Sequence, residues 1–168
     1  LRASSGFRLK LAAALADDLG GGSLRYQLLD DLPTAVLVGG YAIGAGGVHP
    51  PRGAIRLAQN ADLCAGWVTG GTILADMEES GYPPVVTGPT APALTGDDEL
   101  AWHPMPAMTA HGMRRSRRLD LWQDGAEIAI ECFFRDSHMA QSGRETVVHE
   151  YTVQGRIDPL TMRFTSAT

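Results

Sequence analysis

The chain has 168 residues, 44% of them hydrophobic and 20% charged, which suits one packed domain, or two small ones sharing a core, and not a disordered tail. A net charge of −5 argues against a general binder of nucleic acid or anionic membranes. No Gly-X-Y period, sustained heptad or apolar run near ~20 residues occurs, which excludes collagen, coiled coil and transmembrane protein.

In chain order, Phe7, Leu11, Ala14, Leu15 and Leu19 recur at helical spacing and Gly20-Gly21-Gly22 supplies a stop. Ser23 is placed to cap a second helix carrying Leu24, Leu28, Leu29 and Leu32. Pro33 fits the first turn of an apolar segment, Thr34–Ile43, whose pattern suits either a helix or a buried strand. The glycines of 39–47 do not form a dinucleotide fingerprint, because His49 stands where the third glycine would be needed. Cys64–Val68 reads as a short strand, and Thr72 as the cap of a helix that runs through Ser80 and stops at Gly81. Six prolines between Pro83 and Pro106 mark an extended connector laid over a surface.

After the connector the period changes to two. Met113–Trp122, Glu127–Arg135, Glu145–Ile157 and Leu160–Ser166 all alternate, with Asp124-Gly125 as a hairpin signal and Asp158-Pro159 as the last turn. The expected fold is therefore α+β: a mainly helical portion at 1–82, a Pro-rich connector at 83–111 and a four-stranded antiparallel meander at 112–168.

Register narrows the chemistry. A turn on Asp124-Gly125 pairs Gln123 with Ala126, which sets Arg117 against Cys132 and Arg118 against Glu131. If Asp136 then faces Glu145, Cys132 faces His149 and Glu131 faces Glu150. A thiol between a guanidinium and an imidazole has the setting of a nucleophile, against the plainer reading of a buried thiol beside a core histidine. Two facing carboxylates suggest an acid/base pair or half of a metal site, against the plainer reading of exposed groups eased by Arg118. The arginine run Arg114-Arg115-Ser116-Arg117-Arg118 reads as a charged strand edge or as a contact for one anionic group. His49, His103 and His111 fall in loops, and His138 in a hairpin loop at the surface. Cys64 and Cys132 have no partner at zinc-ligand spacing; free thiols in a cytoplasmic protein are the plain expectation, against the alternative of one disulfide between them.

Several motifs together resemble a bacterial family of unknown function in its actinobacterial form. They are Phe134-Arg135-Asp136-Ser137-His138, the run Gly143–Val153, Leu28-Leu29-Asp30-Asp31-Leu32-Pro33, Cys64-Ala65-Gly66-Trp67 and Met113-Arg114-Arg115. The resemblance implies that a Cys-Thr-His-Leu-Asn segment follows the strands, so the chain, which opens on Leu1, is expected to be part of a longer protein. It also implies a degenerate copy of that segment at Gly22–Tyr26, hence a tandem repeat. The family pattern places a carboxylate, an Asp and a His-Asp/Glu pair at the positions of Glu131, Asp136, His149 and Glu150, and commonly has other residues at Cys132.

The expected function is an enzyme acting on a small anionic molecule. His149, Glu131, Glu150 and Cys132 are its catalytic candidates, and Arg117, Arg118 and Asp136 its substrate contacts. The alternatives are a noncatalytic small-molecule binder and an assembly module that uses an uncovered sheet. The patterns specify no cofactor and leave metal binding open. They allow a small-molecule ligand and a homo-oligomer, and do not call for nucleic acid or membrane.

Overall fold

A computed structural model describes residues 6–49, 51, 61–62, 65–95 and 101–168. Among these, five α-helices precede a four-stranded antiparallel sheet, so the fold is α+β. The chain divides into two compact units, Leu1–Tyr41 and Ala42–Thr168.

In the first unit the opening helical stretch is split. Helices α1 (Phe7–Ala14) and α2 (Ala16–Gly20) meet at Leu15, whose φ of −127° and ψ of 46° interrupt the helix. Ser23 caps α3 (Leu24–Asp30): its Oγ accepts from the Tyr26 amide at 3.1 Å and donates to Asp18 Oδ1 at 2.7 Å. The ambiguous apolar segment is helical, as part of α4 (Leu32–Ala45). Pro33 lies in its first turn, where a missing N–H removes no helical bond.

In the second unit, Ala65–Trp67 is a 3-10 turn and not the expected strand. Asp62 explains the difference by closing a loop over it: its amide donates to the Trp67 carbonyl at 2.8 Å, and its carboxylate accepts from the amide and hydroxyl of Thr69, each at 2.8 Å. Cys64 lies outside the described residues. Helix α5 (Thr72–Ser80) ends at Gly81 as expected, with φ +82° and a 2.8 Å bond from its amide to the Met77 carbonyl. Gly71, and not Thr72, holds the cap position, so Thr72 is the first helical residue.

The sheet runs β1 (Met113–Asp124), β2 (Glu127–Met139), β3 (Glu145–Asp158) and β4 (Arg163–Ala167), in that order. The first hairpin turns on Gly125-Ala126, one residue later than the Asp-Gly signal, with Gly125 at φ +64°. Glycine with positive φ at the first central position is what a type II′ connection needs, whereas Asp-Gly favours type I′. Each β1 residue consequently meets a β2 partner two positions further on than expected: Arg117 faces Phe134, Leu119 faces Cys132 and Asp120 faces Glu131. Because the slip is an even number, every side chain keeps its face.

Strands β2 and β3 are offset further. Cys132 pairs with Val153, Glu131 with Gln154, Arg135 with Glu150 and Asp136 with His149. Beyond Asp136 the register shifts, with Ser137 opposite Val147, so Val148 is the extra residue of a β-bulge. His138, expected in a hairpin loop, lies with Ser137 in β2, which continues to Met139. The extension has partners on both sides: β3 from Glu145, and Gly112, whose carbonyl accepts from the Met139 amide at 2.9 Å.

The Pro-rich segment runs along this end of the sheet. Thr90 bridges Thr146, the Val147 amide donates to the Pro89 carbonyl and the Ala91 amide to the Glu145 carbonyl, both at 2.9 Å. Gly88 lies so close to β3 that a Cβ there would stand 1.9 Å from the Val147 carbonyl oxygen. Trp102 packs edge-on against Phe133 at 5.8 Å between ring centroids. The side chains buried most completely here are Thr146, Asp136 and Ser137, all polar.

Candidate functional site

The two faces of the sheet carry different chemistry. Arg115, Arg117, Leu119 and Leu121 of β1 share a face with Ile130, Cys132, Phe134 and Asp136 of β2 and with His149, Tyr151 and Val153 of β3. The other face carries Arg114, Arg118, Asp120, Glu131, Phe133, Arg135 and Glu150.

On the first face three strands converge on one carboxylate. Asp136 is 1% exposed and accepts a bidentate pair from Arg115, with Nε to Oδ1 and Nη2 to Oδ2 both at 2.8 Å. Its Oδ2 also faces Nδ1 of His149 at 3.3 Å. Burial by itself pushes the Asp136 carboxyl up. The hydrogen bonds and positive charge of Arg115 and His149 outweigh it and hold the group below the ordinary carboxylate range. A carboxylate at Nδ1 selects the tautomer with its proton there, which leaves Nε2 to exchange protons. The His149 side chain is half exposed. Beside it, the Arg115 and Arg117 guanidinium carbons lie 4.8 and 6.0 Å from the Phe134 ring centroid, and Tyr151 lies 6.1 Å from the same ring. Cations and aromatic rings thus share the sheet face of an oriented imidazole.

On the opposite face the buried guanidinium of Arg135 pairs with Glu150, donates to the Pro92 carbonyl at 2.6 Å and stacks 5.2 Å from the Phe133 ring. Glu131 accepts from Gln154 Nε2 at 2.9 Å. Ser137 Oγ donates to Glu145 Oε1 at 2.5 Å. These contacts tie the strands to one another and to the Pro-rich segment.

The sequence candidates are therefore regrouped. Cys132 is a free thiol on the face of His149, but its partner Val153 lies four residues from that histidine, roughly 13 Å along the strand. Cys132 and His149 do not form a pair. Glu131 and Glu150 do not face each other, and both lie on the face opposite His149. Arg118 pairs with Asp120 at 2.6 Å and not with Glu131. Asp136 and His149 are brought together, with Arg117 close by.

Arg115 belongs to the site and was not among the candidates. Its signal was the arginine run itself, which places Arg115 against Asp136 once the hairpin turns one residue later. His138 is 4% exposed, far from the expected surface position, and its ring lies 5.7 Å from that of His111. Among the described residues, no three His, Cys, Asp or Glu side chains gather as a metal site would require. No single described helix is long and apolar enough to cross a membrane.

The chain matches no protein-family model, no curated protein and no solved structure.

Proposed function

We propose that Arg115, Asp136 and His149 form the proton-transfer centre of an enzyme acting on a small anionic molecule. One observation carries this reading: a carboxylate 1% exposed turns Nδ1 of a half-exposed histidine inward. In this reading His149 Nε2 takes a proton from the bound molecule or from a water beside it and returns it later. Asp136 holds the ring and stabilises the imidazolium, and Arg115 keeps Asp136 ionised. Arg117, exposed over Phe134, attracts the anionic group. We further propose membership of the bacterial family that the motifs resemble, whose pattern has an Asp and a His at these two positions.

Nitrogen-15 NMR of the imidazoles, with inorganic phosphate as the probe, tests the reading. His149 is expected with its proton on Nδ1, and added phosphate is expected to shift Nε2. Arg117→Ala should abolish the phosphate response, and Asp136→Asn should release the tautomer. An Nε2 signal indifferent to phosphate, or a tautomer unchanged in Asp136→Asn, would overturn it.

A second reading, an assembly module, rests on a different observation. Leu119, Leu121, Tyr151 and Val153 share one sheet face and are 59%, 56%, 59% and 42% exposed, respectively.

A further inference from the structure

Polar and apolar residues on the His149 face are sorted along the strands. Arg115, Asp136 and His149 form one row across β1, β2 and β3. The next row holds Arg117, Phe134 and Tyr151, with the Arg117 guanidinium carbon 6.0 Å from the Phe134 centroid. Beyond it come Leu119, Cys132 and Val153, then Leu121, Ile130 and Gly155, two rows without a charge. From His149 to Gly155, roughly 20 Å along β3, the face passes from charged through cationic and aromatic to apolar.

The apolar end is open above and stopped at its far side. Leu119, Leu121 and Val153 are exposed, while the Pro-rich segment packs on the opposite face, Pro92 at Arg135 and Trp102 at Phe133. Phe164 of β4 pairs with Ile157 and leans over Gly155. A Cβ at Gly155 would stand 3.1 Å from Phe164 Cε1 and 3.2 Å from Ile130 Cγ2. The Phe164 ring therefore lies across the sheet where the apolar rows end.

Size and charge together name the occupant. The apolar floor measures about 10 Å across three strands and about 13 Å along them, a footprint well short of the ~800 Å² per partner of a stable protein interface. One end of it is cationic and aromatic and the other is hydrocarbon. That order is the complement of a small molecule with an anionic head and an apolar tail.

We infer that the molecule handled at His149 is a free alkyl-chain acid. Its head lies at the Arg117 row beside His149, and its tail runs over Leu119, Val153 and Leu121 as far as Phe164. The inference rests on the proton-transfer reading and gives that centre a substrate class.

Methyl and imidazole NMR of the full chain is the test, with acetate, hexanoate and decanoate as probes below their micelle concentrations. Decanoate is expected to shift the Leu121 and Val153 methyls together with His149 Nε2. Affinity should rise roughly twofold per methylene, half the free energy of complete burial, because the face is open on one side. Leu121→Asp, at an exposed position, should flatten that rise and leave the acetate response of His149 in place. A His149 that answers acetate and decanoate alike overturns the alkyl-chain substrate and leaves proton transfer standing. Decylammonium binding as well as decanoate overturns the anionic head. Methyls that become protected as protein concentration rises, with faster sedimentation and no acid present, overturn the inference by giving the face to a second copy. Length-dependent shifts at Leu121 and Val153 without any at His149 support the tail site and overturn the proton-transfer reading instead.

Discussion

One carboxylate, Asp136, answers to an arginine and a histidine from different strands, and its burial sets the scale of what its loss would do. Removing one partner of a buried, hydrogen-bonded pair leaves the other charge uncompensated, at about 3–5 kcal/mol. Asp136→Asn is therefore expected to lower unfolding stability by about that much, measured by urea denaturation at neutral pH. The same residue sets an acid limit. Its carboxyl is depressed in the fold, so it stabilises above the ordinary value of 3.8 and that contribution is lost as pH falls through the folded value. His138 acts earlier. Burial, helped by the charge of His111, holds its imidazole below the ordinary 6.5, so the unfolded chain takes up the proton first. Stability is expected to fall as pH drops below 6.5, and His138→Gln should remove this first stage while leaving the second. Thermal melts at a series of pH values separate the two.

At the scale of elements, alternation was enough to locate all four strands and, as far as the bulge, the face of each side chain, because parity survives any even slip; beyond Val148 the single extra residue reverses it, and Glu145, expected opposite Asp136, pairs with Met139. Register was not legible to the same degree. The Asp-Gly dipeptide favours a turn one residue earlier than the one formed, and the pairs that favour the observed register, Arg115 with Asp136 and Asp124 with Arg156 (2.6 Å), join residues far apart in sequence. The bulge at Val148 had no local signal at all. Asp136 and His149 were both legible as site residues, yet their meeting was not, since it depends on the offset between β2 and β3. The Pro-rich segment was legible as extended, but its seat on β3 shows only in space, at Gly88. Gly88→Ala is expected to push that segment away from Val147, at a cost of about 1–3 kcal/mol. Hydrogen exchange would report it as faster exchange at the Val147 and Ala91 amides, with the Asp136–His149 contact retained.

For the whole molecule, the division into Leu1–Tyr41 and Ala42–Thr168 bears directly on which part carries the chemistry. Every residue of the proton-transfer array, and every segment described as packing on it, lies in the second unit. Residues 42–168 expressed alone are accordingly expected to unfold cooperatively and to keep the His149 tautomer of the full chain. A non-cooperative melt would show that the first unit is needed to complete the fold.

The bulge at Val148 also has a genetic consequence. Ser137 is paired with Val147 and Asp136 with His149 on either side of it, so an in-frame loss of codon 148 would leave both pairings available. Such a deletion would straighten the strand without scrambling the sheet. Heritable change at this one codon could therefore re-aim His149 while the protein around it stays folded, which makes position 148 a point where lineages can part in activity without parting in architecture.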